Sequence, residues 1–302
     1  MVNLQIIKYK KIWLITSLAM VILSIAALVT WGLRLGLDFT GGSLLEVKFS
    51  AGQPTVAEVQ NSLSKVGVSS LVVQPTSAES VILRFQETSQ EKHLAVVEAL
   101  GKLDQAKNGL TEIRFESIGA SIGEELRSKS FGVMIIVLII IILYISLAFN
   151  KVSKPVSSWK YGLVAIVSLF HDILITVGIF AILGHYLGVE VNTSFIVALL
   201  TVLGYSVHDT IVVFDRTREN LPKSNLSFAD TVNAGLNQTF VRSLTTTFTT
   251  LLTLLAVLLF GGSSIRDFVL ALMVGIFCGA YSSLFVASPL IVYIEQWQRR
   301  RK

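Results

Sequence analysis

Charge is scarce in this chain and cysteine is almost absent. Asp, Glu, Lys and Arg make up only 15% of its 302 residues, against 52% apolar, a balance that excludes an ordinary soluble globular protein. The single cysteine, Cys278, excludes an internal disulfide framework and a cysteine-based metal site. The one long polar stretch holds no His cluster, no Ser/His/Asp set and no phosphate-type glycine loop, so neither enzyme chemistry nor a bound cofactor is expected there. The formal net charge of +5 does not indicate nucleic-acid binding. It arises in short flanks beside apolar runs, where cations attract anionic lipid.

What the sequence does have is apolar length. A membrane-spanning helix needs ~20 mostly apolar residues at ~1.5 Å each. Six stretches qualify or nearly do: Ile12 to Trp31, Phe131 to Phe149, Tyr161 to Gly184, Thr193 to Phe214, Thr239 to Phe260 and Phe268 to Tyr293. Lys8, Lys10 and Lys11 give the first a signal-peptide look. Its run is too long for one, and no small-residue cleavage site follows, so it reads as an anchor. Orientation follows from the cations. Of fifteen Lys and Arg outside the long polar loop, fourteen flank one side: Lys8, Lys10, Lys11, Lys151, Lys154, Lys160, Arg216, Arg218, Lys223, Arg242, Arg299, Arg300, Arg301 and Lys302. Only Arg266 faces the other, so both termini are expected in the cytoplasm and the loop from Gly32 to Ser130 on the exported side.

That loop alternates two periods. "SLLEVKF" sets Leu45, Val47 and Phe49 opposite Glu46 and Lys48, a strand with one wet face. "PTVAEVQNSLSKVG" offers Thr55 and Glu58 as a capping box, the stripe Val56, Val59, Leu63 and Val66, and Gly67 as terminator. Strands follow at Leu71 to Gln74 and Val81 to Phe85, around the turn-like "PTSAES". A second helix starts at Thr88 and Glu91 and buries Val96, Val97, Leu100 and Leu103; a last strand, "TEIRFES", points Ile113 and Phe115 inward. The order βαββαβ is the ferredoxin-like plan, an antiparallel sheet with two helices on one face. The expected organisation is thus a first helix over residues 1–31, a small α+β domain over 32–120 and five further helices over 121–302. Gly41 and Gly42 read as a turn into the first strand, and Ser121 with Glu124 as a cap that begins the second long helix outside the membrane.

Within the apolar runs sit groups that are costly there. A charge at the bilayer centre costs ~2.5–3.5 kcal/mol on insertion scales, so such groups face a bundle interior or a water path. "SLFHDILIT" puts Ser168, Asp172 and Thr176 on one helix face beside His171. The fourth run holds Tyr205, Ser206, His208 and Asp209; the fifth aligns Arg242, Thr246, Thr249, Thr250 and Thr253. If the fourth and fifth helices are antiparallel neighbours, the Asp209 carboxylate comes toward the Arg242 guanidinium, and protonation of Asp209 would loosen that pair and change helix packing. Plainer readings stand beside these: Arg242 snorkelling to the interface, the histidines satisfying a neighbour, the threonines packing between helices. Gly275 and Gly279 in "GIFCG" read as a helix-contact motif.

Taken together, "LGLDFTGGSLLEV", "HDILITVG", "GYSVHDTIVVFDRTREN", "RSLTTTFTTLL" and "FGGSSIRDF" resemble the SecD/SecF protein-export family, and within it the SecF type, over nearly the whole chain. The resemblance implies half of an RND-type twelve-helix bundle in a bacterial inner membrane. It implies a SecD-like partner, association with the SecYEG channel, and use of the proton-motive force to draw unfolded preproteins outward. It places Asp209 and Arg242 in a proton pathway with Asp172, His171 and His208 beside them. At His208 the family more often has Asn. Sodium is the competing coupling ion, because Ser and Thr hydroxyls beside Asp supply oxygen ligands. Two other functions remain open at this point: half of an RND-type exporter of small molecules or lipids, and a scaffold subunit that carries no ions.

Overall fold

The computed structural model describes residues 4–50, 52–75, 79–86, 89–104, 109–148 and 156–300. Backbone packing divides the chain into two units, Met1–Arg34 with Gly132–Lys302, and Leu35–Phe131. Several expectations lie outside the described residues: the cap at Thr88, the middle of "PTSAES", the last residue of the second run, and the cations Lys151, Lys154, Arg301 and Lys302.

In the larger unit, six helical segments are long and apolar enough to cross a membrane. They are α1 (Lys10–Trp31), the long part of α5 (Ala120–Ala148), α6 (Ser158–Leu187), α7 (Thr193–Asn220), α8 (Phe228–Phe260) and α9 (Ser263–Ser282) continued by α10 (Ser288–Arg299). The chain is a multi-pass membrane protein. α7 and α9 form the centre: Val202, Leu203, Ser206 and Val207 of α7 are buried, as are Ala271, Leu272 and Ile276 of α9. Glycines set this closeness. A β-carbon at Gly275 would stand 2.3 Å from Val202 Cγ2, and one at Gly279 would stand 2.8 Å from Ser206 Cβ. α1 approaches α6 in the same way, a β-carbon at Gly178 meeting Ser24 Cβ at 2.3 Å. In a membrane, where no hydrophobic drive pulls helices together, such close contact of small residues supplies the packing. Three helices remain mostly uncovered: α1 presents Ile15, Leu18 and Ile22 outward, α5 presents Ile135, Ile136, Ile139 and Leu143, and α8 presents Leu244, Phe248 and Leu252.

α8 starts well before the expected Thr239. Ser227 caps it, its hydroxyl accepting from the Asp230 amide. The added turns are polar and grip the beginning of the chain: Asn233 Nδ2 and Asn237 Nδ2 donate to the Leu4 carbonyl at 3.0 and 2.9 Å. Asn237 Oδ1 in turn accepts from the Leu4 amide at 2.7 Å and Asn233 Oδ1 from the Ile7 amide at 3.2 Å. A hydropathy criterion misses these turns because they are amphipathic rather than apolar.

The smaller unit has the expected order. Its strands β1 (Gly42–Lys48), β2 (Val72–Pro75), β3 (Ser80–Phe85) and β4 (Thr111–Ile118) form one antiparallel sheet ordered β2-β3-β1-β4. Helices α3 (Val56–Ser64) and α4 (Gln90–Gly101) cover it around Leu45, Val47, Phe49, Val59, Leu63, Leu83, Val96 and Leu100. The Thr55–Glu58 capping box is present in full. α4 is capped by Ser89, whose hydroxyl accepts from the Lys92 amide.

Three expectations are corrected here. The face of β1 expected to be wet is wet only at its end, where Lys48 is exposed, since Leu44 and Glu46 are buried on this central strand between β3 and β4. Ile113 does not point inward and is 51% exposed. A β-bulge pairs Glu46 with Arg114 and Val47 with Glu112, so Ile113 is the extra residue and the alternation inverts around it. Glu112 thereby turns to the helix side, where its carboxylate lies 3.0 Å from His93 Nε2 of α4. Finally, Ser121 does not cap α5, because the helix already begins at Ala120.

Gly41 and Gly42 make the turn from the short helix α2 (Leu37–Thr40) into β1. Both have positive φ, +68° and +111°. Added β-carbons would stand 2.8 Å from Ala120 Cα and 2.7 Å from the Phe85 carbonyl oxygen, so the position demands glycine twice over.

Candidate functional site

Asp172 lies midway along α6, completely buried. It is the hub of a polar cluster that joins three helices. His171 Nδ1 stands 3.0 Å from its Oδ1. Its Oδ2 accepts two hydroxyl hydrogens, from Ser206 of α7 at 2.6 Å and from Ser282 of α9 at 2.8 Å. Thr176, one turn on, returns its hydroxyl to the Asp172 carbonyl. Beside the cluster, Tyr281 stacks near the His171 ring and meets Ser17 of α1 through its phenol oxygen at 3.1 Å. Ser168 Oγ and His171 Nε2 are buried with no hydrogen-bond partner among the described residues.

Ser282 and Ser283 were not singled out by sequence reasoning. Their orientation depends on a π-helical turn, Ser283–Ala287, between α9 and α10. One residue per turn beyond the α-helical number widens the helix, a device frequent at functional positions. Here Ser283 shares a hydroxyl hydrogen bond with Thr210 of α7 at 2.8 Å, and Ser288 returns its hydroxyl to the Ser283 carbonyl. Three serines within seven residues gave the only hint.

Asp209 is buried on α7 and faces α8, as expected, but the group it meets is different. Ser243 Oγ donates to its Oδ1 over a long 3.4 Å, while Oδ2 has no hydrogen-bond partner among the described residues. Arg242 is within electrostatic reach of Asp209 yet forms no ion pair with it among the described residues; the residue is exposed. The α8 stripe that faces the interior is Thr239, Ser243 and Thr247, one residue out of phase with the expected Arg242, Thr246, Thr249, Thr250 and Thr253. Those threonines bond their own helix four residues back. His208, beside Asp209 in sequence, is likewise exposed, on the α7 face that also carries Thr201 and Gly204. The expected set of five therefore separates into a buried pair, Asp172 with His171, a buried Asp209, and two outward groups, His208 and Arg242. Among the described residues no group of three or more His, Cys, Asp or Glu is placed to hold a metal.

Two family models match the chain: protein export membrane protein SecD/SecF, C-terminal, over residues 98–297, and the SecD/SecF GG motif over residues 26–52, which contains Gly41 and Gly42. Among curated proteins, the chain is 41% identical to the protein translocase subunit SecF of Thermobaculum terrenum, over 97% of this chain and 94% of that one. It is 35% identical to the SecF of Haemophilus influenzae, over 94% and 83%. It also matches protein translocase subunit SecDF of Thermus thermophilus at 35% identity, over 95% of this chain and 38% of that longer one. The crystal structure of SecDF from the same organism superposes with a TM-score of 0.83 at 31% identity, covering 98% of this chain and 39% of that chain. Matched along nearly its full length by SecF proteins, and in fold by part of a SecDF, the chain belongs to the SecD/SecF family of protein-export membrane proteins, on its SecF side.

Proposed function

We propose that this auxiliary subunit of the Sec export machinery couples the proton-motive force to late preprotein translocation, acting as one half of a bundle completed by a SecD-like subunit. The observation that supports this most is the outward polar face of α7 and α8. His208, Arg242, Thr246 and Thr249 are exposed in segments long and apolar enough to span the membrane. Such groups are not left against lipid, so a second protein covers them. A fused relative is named SecDF and this chain covers 38% of it, in keeping with a separate SecD-like chain supplying the remainder.

Asp209 is then the group that takes and releases the coupling ion. With Oδ2 unpartnered and Arg242 near but unbonded, its site is incomplete in this arrangement. A buried polar atom left unpaired costs ~1–3 kcal/mol, and either a proton or an approaching guanidinium removes that cost. The two outcomes call for different positions of α8 against α7, which is how ion traffic becomes helix movement. Each elementary charge crossing ~100 mV supplies ~2.3 kcal/mol. On this reading both termini are cytoplasmic, the sheet domain is on the exported side of the inner membrane, and the SecYEG channel and its unfolded preprotein are the working partners.

The test is preprotein translocation into vesicles carrying SecYEG, a SecD-like subunit and this chain, under an imposed proton or sodium gradient. Asp209→Asn should abolish gradient-driven stimulation while assembly with the partner persists. Full stimulation by that variant would defeat the reading, stimulation by a sodium gradient alone would replace the proton with sodium, and loss of assembly would make Asp209 a scaffold residue.

A further inference from the structure

Away from the polar cluster, a cleft of about 170 Å³ opens between the start of α1 and the end of α10. Lys10, Lys11, Tyr293, Gln296, Trp297 and Arg300 line it. Three of the six are cations and none is an anion. Glu295, next to Gln296 on the same helix, is buried and is engaged by Arg299 at 2.9 Å. Lys10 Nζ donates to Gln296 Oε1, a neutral acceptor that positions the ammonium group without cancelling its charge. Glu295, Lys11 and Arg300 all lie within electrostatic reach of Lys10, and the carboxylate is shared with Arg299. Three like charges held together in a concave site favour an anion.

The surroundings say which anion. Tyr293 and Trp297 stand half exposed one turn apart on α10, the amphipathic pairing that settles at the level of lipid headgroups. On α1, Lys11 heads a stripe of Ile15, Leu18, Ile22 and Val29 at helical spacing, each more than half exposed. An apolar track thus runs down the helix from the cationic cleft. A free phosphate would have no use for that track, whereas an acyl chain would lie along it. The geometry points to a binding site for an anionic phospholipid, its headgroup phosphate held by Lys10, Lys11 and Arg300 and a chain laid on α1. The site shares no residue with the Asp172 and Asp209 clusters and stands independently of the coupling reading.

The test uses the full chain purified with its SecD-like partner, equilibrated with an equal mixture of phosphatidylglycerol and phosphatidylcholine of matched chains, with retained lipid counted by native mass spectrometry. Preferential retention of phosphatidylglycerol is expected. Each cation removed near a membrane surface weakens anionic attraction by about fivefold, so Lys11→Gln with Arg300→Gln should lower the preference by about 25-fold. Lys160→Gln with Lys223→Gln, an equal loss of charge elsewhere, should leave it unchanged, and Lys11→Arg with Arg300→Lys should retain it. Equal loss in both neutralised variants would overturn the site in favour of general charge attraction. Displacement by millimolar inorganic phosphate would make it a free-anion site, and absence of retained lipid in the assembled pair would mean that the partner covers the cleft. Either result overturns the proposal.

Discussion

Ser282 and Asp172 are joined by a hydroxyl-to-carboxylate hydrogen bond of 2.8 Å that ties α9 to α6 in the middle of the bundle. The donor is the last residue before the π-helical turn, so the widened helix and the buried carboxylate form one unit.

Removing that donor tests the unit. Losing one donor to a buried acceptor costs about 1–3 kcal/mol, so Ser282→Ala should loosen the α6–α9 contact and lower gradient-driven stimulation of export. Ser288→Ala, whose hydroxyl bonds the Ser283 carbonyl of its own helix, should have little effect. Vesicle translocation under an imposed gradient compares them, and equal activities would show that Ser282 only packs.

Close approach of α7 and α9 gives a second prediction. A β-carbon at Gly275 would lie 2.3 Å from Val202 Cγ2, inside any tolerable contact. Gly275→Val should therefore cost about 1–3 kcal/mol by overpacking and lower the thermal unfolding midpoint of the chain in detergent. Gly204→Ala, with open space at its β-carbon, should leave the midpoint in place.

The bulge in β4 predicts opposite outcomes at neighbouring positions of like pattern. Ile113 is exposed, so Ile113→Lys should change stability by no more than about 0.5 kcal/mol. Phe115 packs on the sheet core and stacks against His93 at 3.8 Å, so Phe115→Ala should cost about 3 kcal/mol or more. Denaturant unfolding measures both, and similar losses would mean that the strand alternates without interruption.

Acid should loosen the start of α3. Hydrogen bonds from the Thr55 hydroxyl and amide hold the Glu58 carboxyl below its ordinary value of 4.5. A carboxyl lowered in the folded state contributes stability above that ordinary value and loses it as pH falls through the folded value. The protection of first-turn amides of α3, taken relative to their intrinsic exchange rate at each pH, should therefore fall below about pH 4.5 in the parent chain. Glu58→Gln should exchange faster at neutral pH already and lack that acid-dependent step; an unchanged pH profile in that variant would assign the step elsewhere.

What could be read in advance follows from what each signal encodes. The six apolar runs, the βαββαβ order, the Thr55 cap and the Gly275 and Gly279 contact were legible because each is local, carried by a period or a spacing. The phase of the α8 stripe was not. Thr246, Thr249 and Thr250 are as polar as Thr239, Ser243 and Thr247, and only packing against α7 decides which set turns inward. Burial of Asp172 and Asp209 was legible from the cost of a charge in hydrocarbon, but their partners were not, since Ser206, Ser282 and Ser243 are ordinary serines until three helices converge. The bulge at Ile113 and the π-helical turn at Ser283–Ala287 each insert a residue, and a strict period cannot announce its own interruption.

The grip of α8 on the first residues of the chain has a practical corollary. Asn233 and Asn237 read the main chain of Leu4 and Ile7 and ignore their side chains, so exchanging those two side chains for other apolar ones spares the clasp. A proline at either site deletes the amide that the clasp needs.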